Sequence, residues 1–210
     1  MTKNIEAFTQ NSSRITMESG KKIYIDPFKI SENYGDADYI FITHDHYDHF
    51  SPEDIEKVKK EGTVYVFPET MKDKVEKALP GEKYITVSTN DKKETEGLTF
   101  ETVPAYNIMK PFHMKHAGWV GYILTVDGKR IYIAGDTDAT PEAEAVKCDV
   151  ALIPAGGKYT CNAKEAAELT NAIKPQVVIP VHYFSEKDAE VFKEHVDTGI
   201  KVEVMIQGEK

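Results

Sequence analysis

The residues most able to do chemistry lie together in His44-Asp45-His46-Tyr47-Asp48-His49. The chain has only 7 histidines in 210 residues. Three His and one Asp at these fixed positions would arise by accident in roughly one such chain in two thousand. Imidazole nitrogens with a carboxylate oxygen suit zinc, iron, manganese or nickel. The bland alternative is a solvated polar loop that opens a helix. Four ligand-type side chains crowded there with nothing bound would repel once protonated and gain little from packing, so a divalent metal site is the better reading.

The surrounding elements say how such a loop is aimed. Tyr39–Thr43 is a short apolar run, too short for a helix, and reads as a buried strand. Ser51-Pro52-Glu53-Asp54 then opens a helix, with a Ser cap, Pro at its first position and acids in the first turn. The cluster therefore sits on a strand-to-helix loop, where a scaffold can direct several side chains at one point. More ligands are expected at other strand ends. Gly135-Asp136-Thr137-Asp138 follows a strand over 130–134, and its glycine permits close backbone approach. His182 closes a strand over 176–181, and Asp26 ends one over 21–26. Any one of these alone is weak, because an Asp after a strand is usually a turn or a cap.

The rest of the chain reads as mixed α and β. Residues 13–18 and 21–26 flank Ser19-Gly20 as a hairpin. Strands are expected over 63–67, 83–88 and 98–104, the last two around a charged turn at 90–97, with a helix over 69–79. Asp127-Gly128 marks a hairpin between 119–126 and 130–134. Strand then alternates with helix: strands 149–154, 176–181 and 200–206, helices 162–173 and 185–196. Asn162 and Glu165 are spaced as a capping box. Two sheets between helix layers fit this order, as do other α+β folds.

With 40% hydrophobic residues and no evident linker, residues 1–210 read as one domain. A net charge of −9 disfavours general binding to nucleic acid or anionic membranes. No apolar run is long enough to span a membrane, and the first residues lack a signal-peptide stretch. Two cysteines, Cys148 and Cys161, make no disulfide framework and suggest a reduced, cytoplasmic setting.

Taken in order, Asp26, His44, His46, Asp48, His49, Asp136 and His182 resemble the metallo-β-lactamase-fold hydrolases over nearly the whole chain. Val103-Pro-Ala-Tyr-Asn107, Gly135-Asp-Thr-Asp138 and Gly156-Gly-Lys-Tyr-Thr160 resemble a stand-alone prokaryotic branch related to the ascorbate-phosphate lactonases. The resemblance implies a four-layer αββα sandwich with its site at the shared edge of two sheets. It implies one or two divalent ions per chain, zinc first, with manganese, nickel or iron as alternatives. His44 and His46 would hold the first; Asp48, His49 and His182 the second; Asp136 would bridge them. Asp48 and Asp136 would thereby take part in catalysis, with a metal-bound hydroxide as the nucleophile. Asp26 would orient a ligand histidine through its other ring nitrogen.

One position departs from the family pattern. Asn107 stands where a third histidine is expected, and an amide oxygen is a poor zinc ligand. His113 or His116 are the candidates to complete the first site; otherwise they are loop residues in water. Lys110, Lys115, Lys158 and Tyr159 lie on predicted site loops and are candidates to hold an anionic substrate group, although loop lysines are mostly solvated charge. Tyr106, Phe112, Trp119 and Tyr183 are further candidates for the pocket wall.

The expected activity is metal-dependent hydrolysis of a small ester, lactone or phosphate-bearing molecule. The alternatives are a phosphodiesterase acting on a nucleotide or phospholipid, and a non-hydrolytic metalloprotein with a degenerate site. Self-association is left open.

Overall fold

The computed structural model describes residues 2–205. Its first sheet contains β1 (Ile5–Ala7), β2 (Ser13–Thr16), β3 (Lys22–Ile25), β4 (Ala37–Phe41), β5 (Lys59–Pro68) and β6 (Lys83–Val87), side by side in that order. β1 to β3 pair antiparallel and β3 to β6 parallel. Helices α1 (Pro52–Val58) and α2 (Lys72–Ala78) lie in the crossovers from β4 to β5 and from β5 to β6. Ser51 caps α1 by accepting from the Asp54 N–H, as its position before Pro52 suggests.

The second sheet runs β13-β12-β11-β10-β9-β8-β7. β7 (Lys92–Thr95), β8 (Leu98–Pro104), β9 (Val120–Val126) and β10 (Lys129–Ile133) pair antiparallel. After α3 (Pro141–Glu144), the strands β11 (Val150–Pro154), β12 (Val177–Val181) and β13 (Lys201–Val202) continue in parallel, joined by α4 (Ala163–Ile173) and α5 (Glu186–His195). Asn162 and Glu165 form the capping box at the start of α4.

Period-two alternation decides the layers. Ile23 and Ile25, Tyr39 and Phe41, and Val64 and Val66 enter the larger core with Phe100, Tyr122 and Leu124 of the facing sheet. Their neighbours Tyr24, Ile40, Tyr65 and Phe67 instead pack with Ile55 and Val58 of α1 and Val75 of α2. Both faces of the first sheet are covered, so its central strands read as continuous apolar runs. The Phe41 ring meets Phe100 edge-on at 5.2 Å and Tyr122 at 5.0 Å. The Tyr122 hydroxyl then donates to the Ile42 carbonyl at 2.7 Å, tying the sheets together. Truncating such a side chain, as in Phe41→Ala, typically costs about 3–5 kcal/mol. On the second sheet, Ala166, Leu169 and Ile173 of α4 join the core and complete an αββα sandwich.

Two expected elements change, and one strand was not expected. Half of the charged segment over 90–97 is strand β7, which turns at Glu96 and Gly97, both with positive φ. The first strand, β1, has too little alternation in three residues to be read alone. The last strand is Lys201–Val202 rather than 200–206, and Ile206 lies outside the described residues.

Candidate metal centre

β3, β4, β10 and β12 bring their carboxyl ends to the shared edge of the two sheets, the usual place for ligands in parallel sheets. Asp26 leaves β3, the loop over 43–49 leaves β4, Asp136 follows β10 and His182 follows β12. Asp26 and His182 hold left-handed backbone, φ 43° and 48°. Residues other than glycine hold that conformation at a cost, and it concentrates at functional sites. Gly135 has φ 66°, and an added Cβ would lie 3.3 Å from the Thr43 side chain. A side chain here would crowd the β4 loop against the Asp136 turn.

Two groups of donors converge. His44 Nε2 lies 3.2 Å from His46 Nδ1 and 3.4 Å from His113 Nε2. Asp48 Oδ2 lies 3.4 Å from His182 Nε2 and 3.8 Å from His49 Nε2. Asp136 stands between them. Its Oδ2 is 3.3 Å from His113 Nε2 and 3.9 Å from His44 Nε2, while its Oδ1 is 3.3 Å from His49 Nε2 and 3.5 Å from His182 Nε2.

Behind the donors sits Asp26, fully buried. It accepts from His49 Nδ1 at 2.8 Å, Asn11 Nδ2 at 2.7 Å, the Thr43 N–H at 2.8 Å and the Thr43 hydroxyl at 2.7 Å. The Thr43 proton is thus committed to Asp26. Thr43 Oγ1 is then left to accept from His44 Nδ1 at 3.0 Å. Both bonds fix the tautomer, so that in the neutral rings the Nε2 lone pairs of His44 and His49 face the cluster.

Charge and burial act in opposition here. Burial holds His44 well below the usual histidine range, with the neighbouring His49 adding to the effect. Burial also disfavours charge on His49, but Asp136 and Asp26 outweigh it and hold that ring well above its usual range. Burial would raise Asp136; the imidazoles of His182 and His49 outweigh it and keep the carboxyl ionised. Among the described residues, His49 Nε2, His182 Nε2 and Asp136 Oδ1 are buried with no hydrogen-bond partner. Leaving such atoms unsatisfied costs about 1–3 kcal/mol each, so the cluster is built for a Lewis acid. Nitrogen and oxygen donors in these two groups fit divalent ions, and the residues present can hold them.

Asn107 is not among the donors. Its Nδ2 donates to Asp138 Oδ1 at 3.3 Å, and His113 occupies the position facing His44. Lys110 is also turned away from the pocket. Its ammonium donates to Asp138 Oδ1 at 2.6 Å and the Thr160 carbonyl at 2.9 Å, where two carboxylates, Asp138 and Glu165, neutralise it. Asp138, Cys161 and Glu165 could otherwise resemble a metal site, but this lysine fills it. Lys115 pairs with Glu142 at 2.5 Å and covers the Tyr106 ring, so it too stands off the pocket. His116 is exposed.

Lys158 and Tyr159 do line the pocket, a cleft of about 550 Å³ containing His46, Asp48, Asp136 and His182. Tyr47, Phe112, Phe184 and Gln10 complete it. Trp119 packs instead against the rings of His44 and His46, each 4.9 Å away. Gln10, Asn11 and Thr43 escape sequence reasoning. Thr43 at least adjoins the histidine loop; the β1–β2 loop carrying Gln10 and Asn11 has no local mark of a site.

This fold and paired donor set define a metal-dependent hydrolase. The chain belongs to the β-lactamase superfamily domain family, whose model matches residues 4–182. It is 33% identical to a UPF0173 metal-dependent hydrolase of Pyrococcus abyssi, over 92% of this chain and 93% of that one. A crystal structure from Parabacteroides distasonis, of a protein assigned to the metal-dependent hydrolases, superposes with a TM-score of 0.81 at 31% identity, covering 95% and 91% of the two chains. Igni18, a metallo hydrolase of Ignicoccus hospitalis, gives 0.78 at 25% identity, covering 98% and 95%. No helix among the described residues is long and apolar enough to cross a membrane.

Proposed function

We propose that this hydrolase holds two divalent ions, zinc by the balance of its donors, and cleaves a small ester, lactone or phosphate-bearing substrate in the cytoplasm. His44, His46 and His113 would hold one ion, Asp48, His49 and His182 the other, with Asp136 shared. The carrying observation is that the two oxygens of Asp136 face different donor groups, with Oδ2 near His113 and Oδ1 near His49. Bound ions would supply Lewis acidity, which lowers the pKa of water and polarises the attacked group.

The protein's own contribution is orientation. Asp26 and Thr43 hold His49 and His44 with their Nε2 atoms inward. Asp136, ionised and buried, offers negative charge between the two groups without reaching solvent. The resemblance of the sequence to a stand-alone branch related to the ascorbate-phosphate lactonases supports an ester or lactone over a nucleotide.

The test combines metal analysis of the purified protein with a screen of lactones, thioesters and phosphodiesters before and after chelation. Two equivalents of a colourless divalent metal, and ester or lactone turnover restored by adding it back, are expected. Activity confined to nucleotide or phospholipid phosphodiesters, or full activity in chelated protein, would overturn this reading.

A further inference from the structure

Phe112 combines two costs. Its backbone φ is 84°, in the left-handed region, and the residue is 63% exposed. An aromatic residue accepts neither for the sake of the folded core, because strain there is not repaid by burial. Its ring meets Tyr159 edge-on at 5.5 Å. Tyr47 is 78% exposed and Phe184 48% exposed, and all four rings line the pocket that holds His46 and His182. Phe184 also meets the His182 ring at 6.0 Å. A wet site thus has an apolar lip.

Among the described residues, Lys158 is the only lysine or arginine lining this pocket, and it is exposed. Among the described residues its ammonium has no carboxylate partner and lies 5.2 Å above the Tyr159 ring. Lys110 and Lys115, by contrast, are neutralised by Asp138 and Glu142. One free cation beside four aromatic rings suits one negative charge on an otherwise apolar molecule. A nucleotide or another polyanion reaching beyond the donor cluster would call for several such cations there. The volume of about 550 Å³ falls within the range of small-molecule sites.

Resting on the hydrolase reading, we propose that the substrate is a monoanion with an aryl or acyl body. The body lies between Phe112, Tyr159 and Phe184, and the anionic group lies on Lys158. The labile bond is then set toward the donor cluster, at the inner end of the pocket.

The binding test is independent of turnover. Affinities of 4-phenylbutyrate, 4-phenyl-1-butanol and succinate are measured by calorimetry on metal-loaded wild type, Lys158→Gln, Phe112→Ala and Phe112→Leu, with metal content checked in each. Wild type should bind 4-phenylbutyrate most tightly. Lys158→Gln should weaken 4-phenylbutyrate about fivefold and leave 4-phenyl-1-butanol unchanged, as expected for one exposed ion pair. Phe112→Ala should weaken both phenyl ligands about tenfold, and Phe112→Leu less, in line with lost apolar contact. If Phe112→Ala loses metal, Lys158→Gln and Phe112→Leu decide the matter. Equal binding of 4-phenylbutyrate to wild type and Lys158→Gln, or preferred binding of succinate, would overturn the proposal. A second arm compares hydrolysis of 4-nitrophenyl hemiglutarate with that of 4-nitrophenyl butyrate. Failure to cleave either ester counts against the ester reading, while the calorimetry still decides the substrate class.

Discussion

The Asn107 N–H donates to the His113 carbonyl at 2.7 Å, closing the loop between them. The residue standing in place of a histidine therefore holds the loop that brings another histidine to His44. If His113 is a ligand, His113→Ala should lower bound metal from two equivalents toward one. Asn107→His in that background should restore part of it. Two tightly held ions in His113→Ala would show that another donor suffices.

Asp138 anchors the same loop, accepting from Asn107 Nδ2, the Ile108 N–H at 2.8 Å and Lys110. Asp138→Ala removes one acceptor from three donors. It should destabilise the fold by about 1–3 kcal/mol and weaken retention of the ion near His113 more than that of its neighbour. Stepwise chelation followed by metal analysis reads the difference. Equal release of both ions would leave Asp138 with a purely structural role.

Asp26 touches no expected ion but holds His49. Asp26→Ala should weaken metal retention about 10–100-fold, as losses behind a ligand do. Competition with a chromophoric chelator measures this, and an unchanged affinity would reduce Asp26 to a turn residue.

Asp54 offers a pH test remote from the metal centre. Burial would raise its pKa, but hydrogen bonds from Lys57, Ser51 and the Ile30 and Lys29 N–H groups outweigh this and lower it from 3.8. A lowered folded-state pKa stabilises the fold above the unfolded value, and the benefit fades as pH falls through the folded one. Asp54→Asn should cost about 1.5–3 kcal/mol at neutral pH, the range for hydrogen bonds to charged groups. Urea unfolding should show the gap constant from pH 7 to 5 and narrowing below 3.8. A gap that stays constant down to pH 3 would mean the charge contributes nothing.

Much of the architecture was legible locally. The Ser51 cap, the Asn162–Glu165 capping box and the hairpin at Asp127-Gly128 each depend on residues within a few positions of one another. Short-range hydrogen bonding and backbone preference act whatever the rest of the chain does. The crowding of His44, His46, Asp48 and His49 into six residues was likewise visible, because a loop after a strand needs no partner to bring them together. What the chain order left undecided was which distant groups meet. His113 lies 69 residues from His44, yet faces it, while Asn107 turns to Asp138. Lys110 looked free until the fold placed Asp138 and Glu165 beside it, 28 and 55 residues away. Among the described residues Lys158 has no such partner, and Gln10 lines the pocket with its carbonyl accepting from the His182 N–H. Side-chain type determines which bonds a residue can make. Which of them it makes depends on packing between sheets, and that depends on residues remote in the chain.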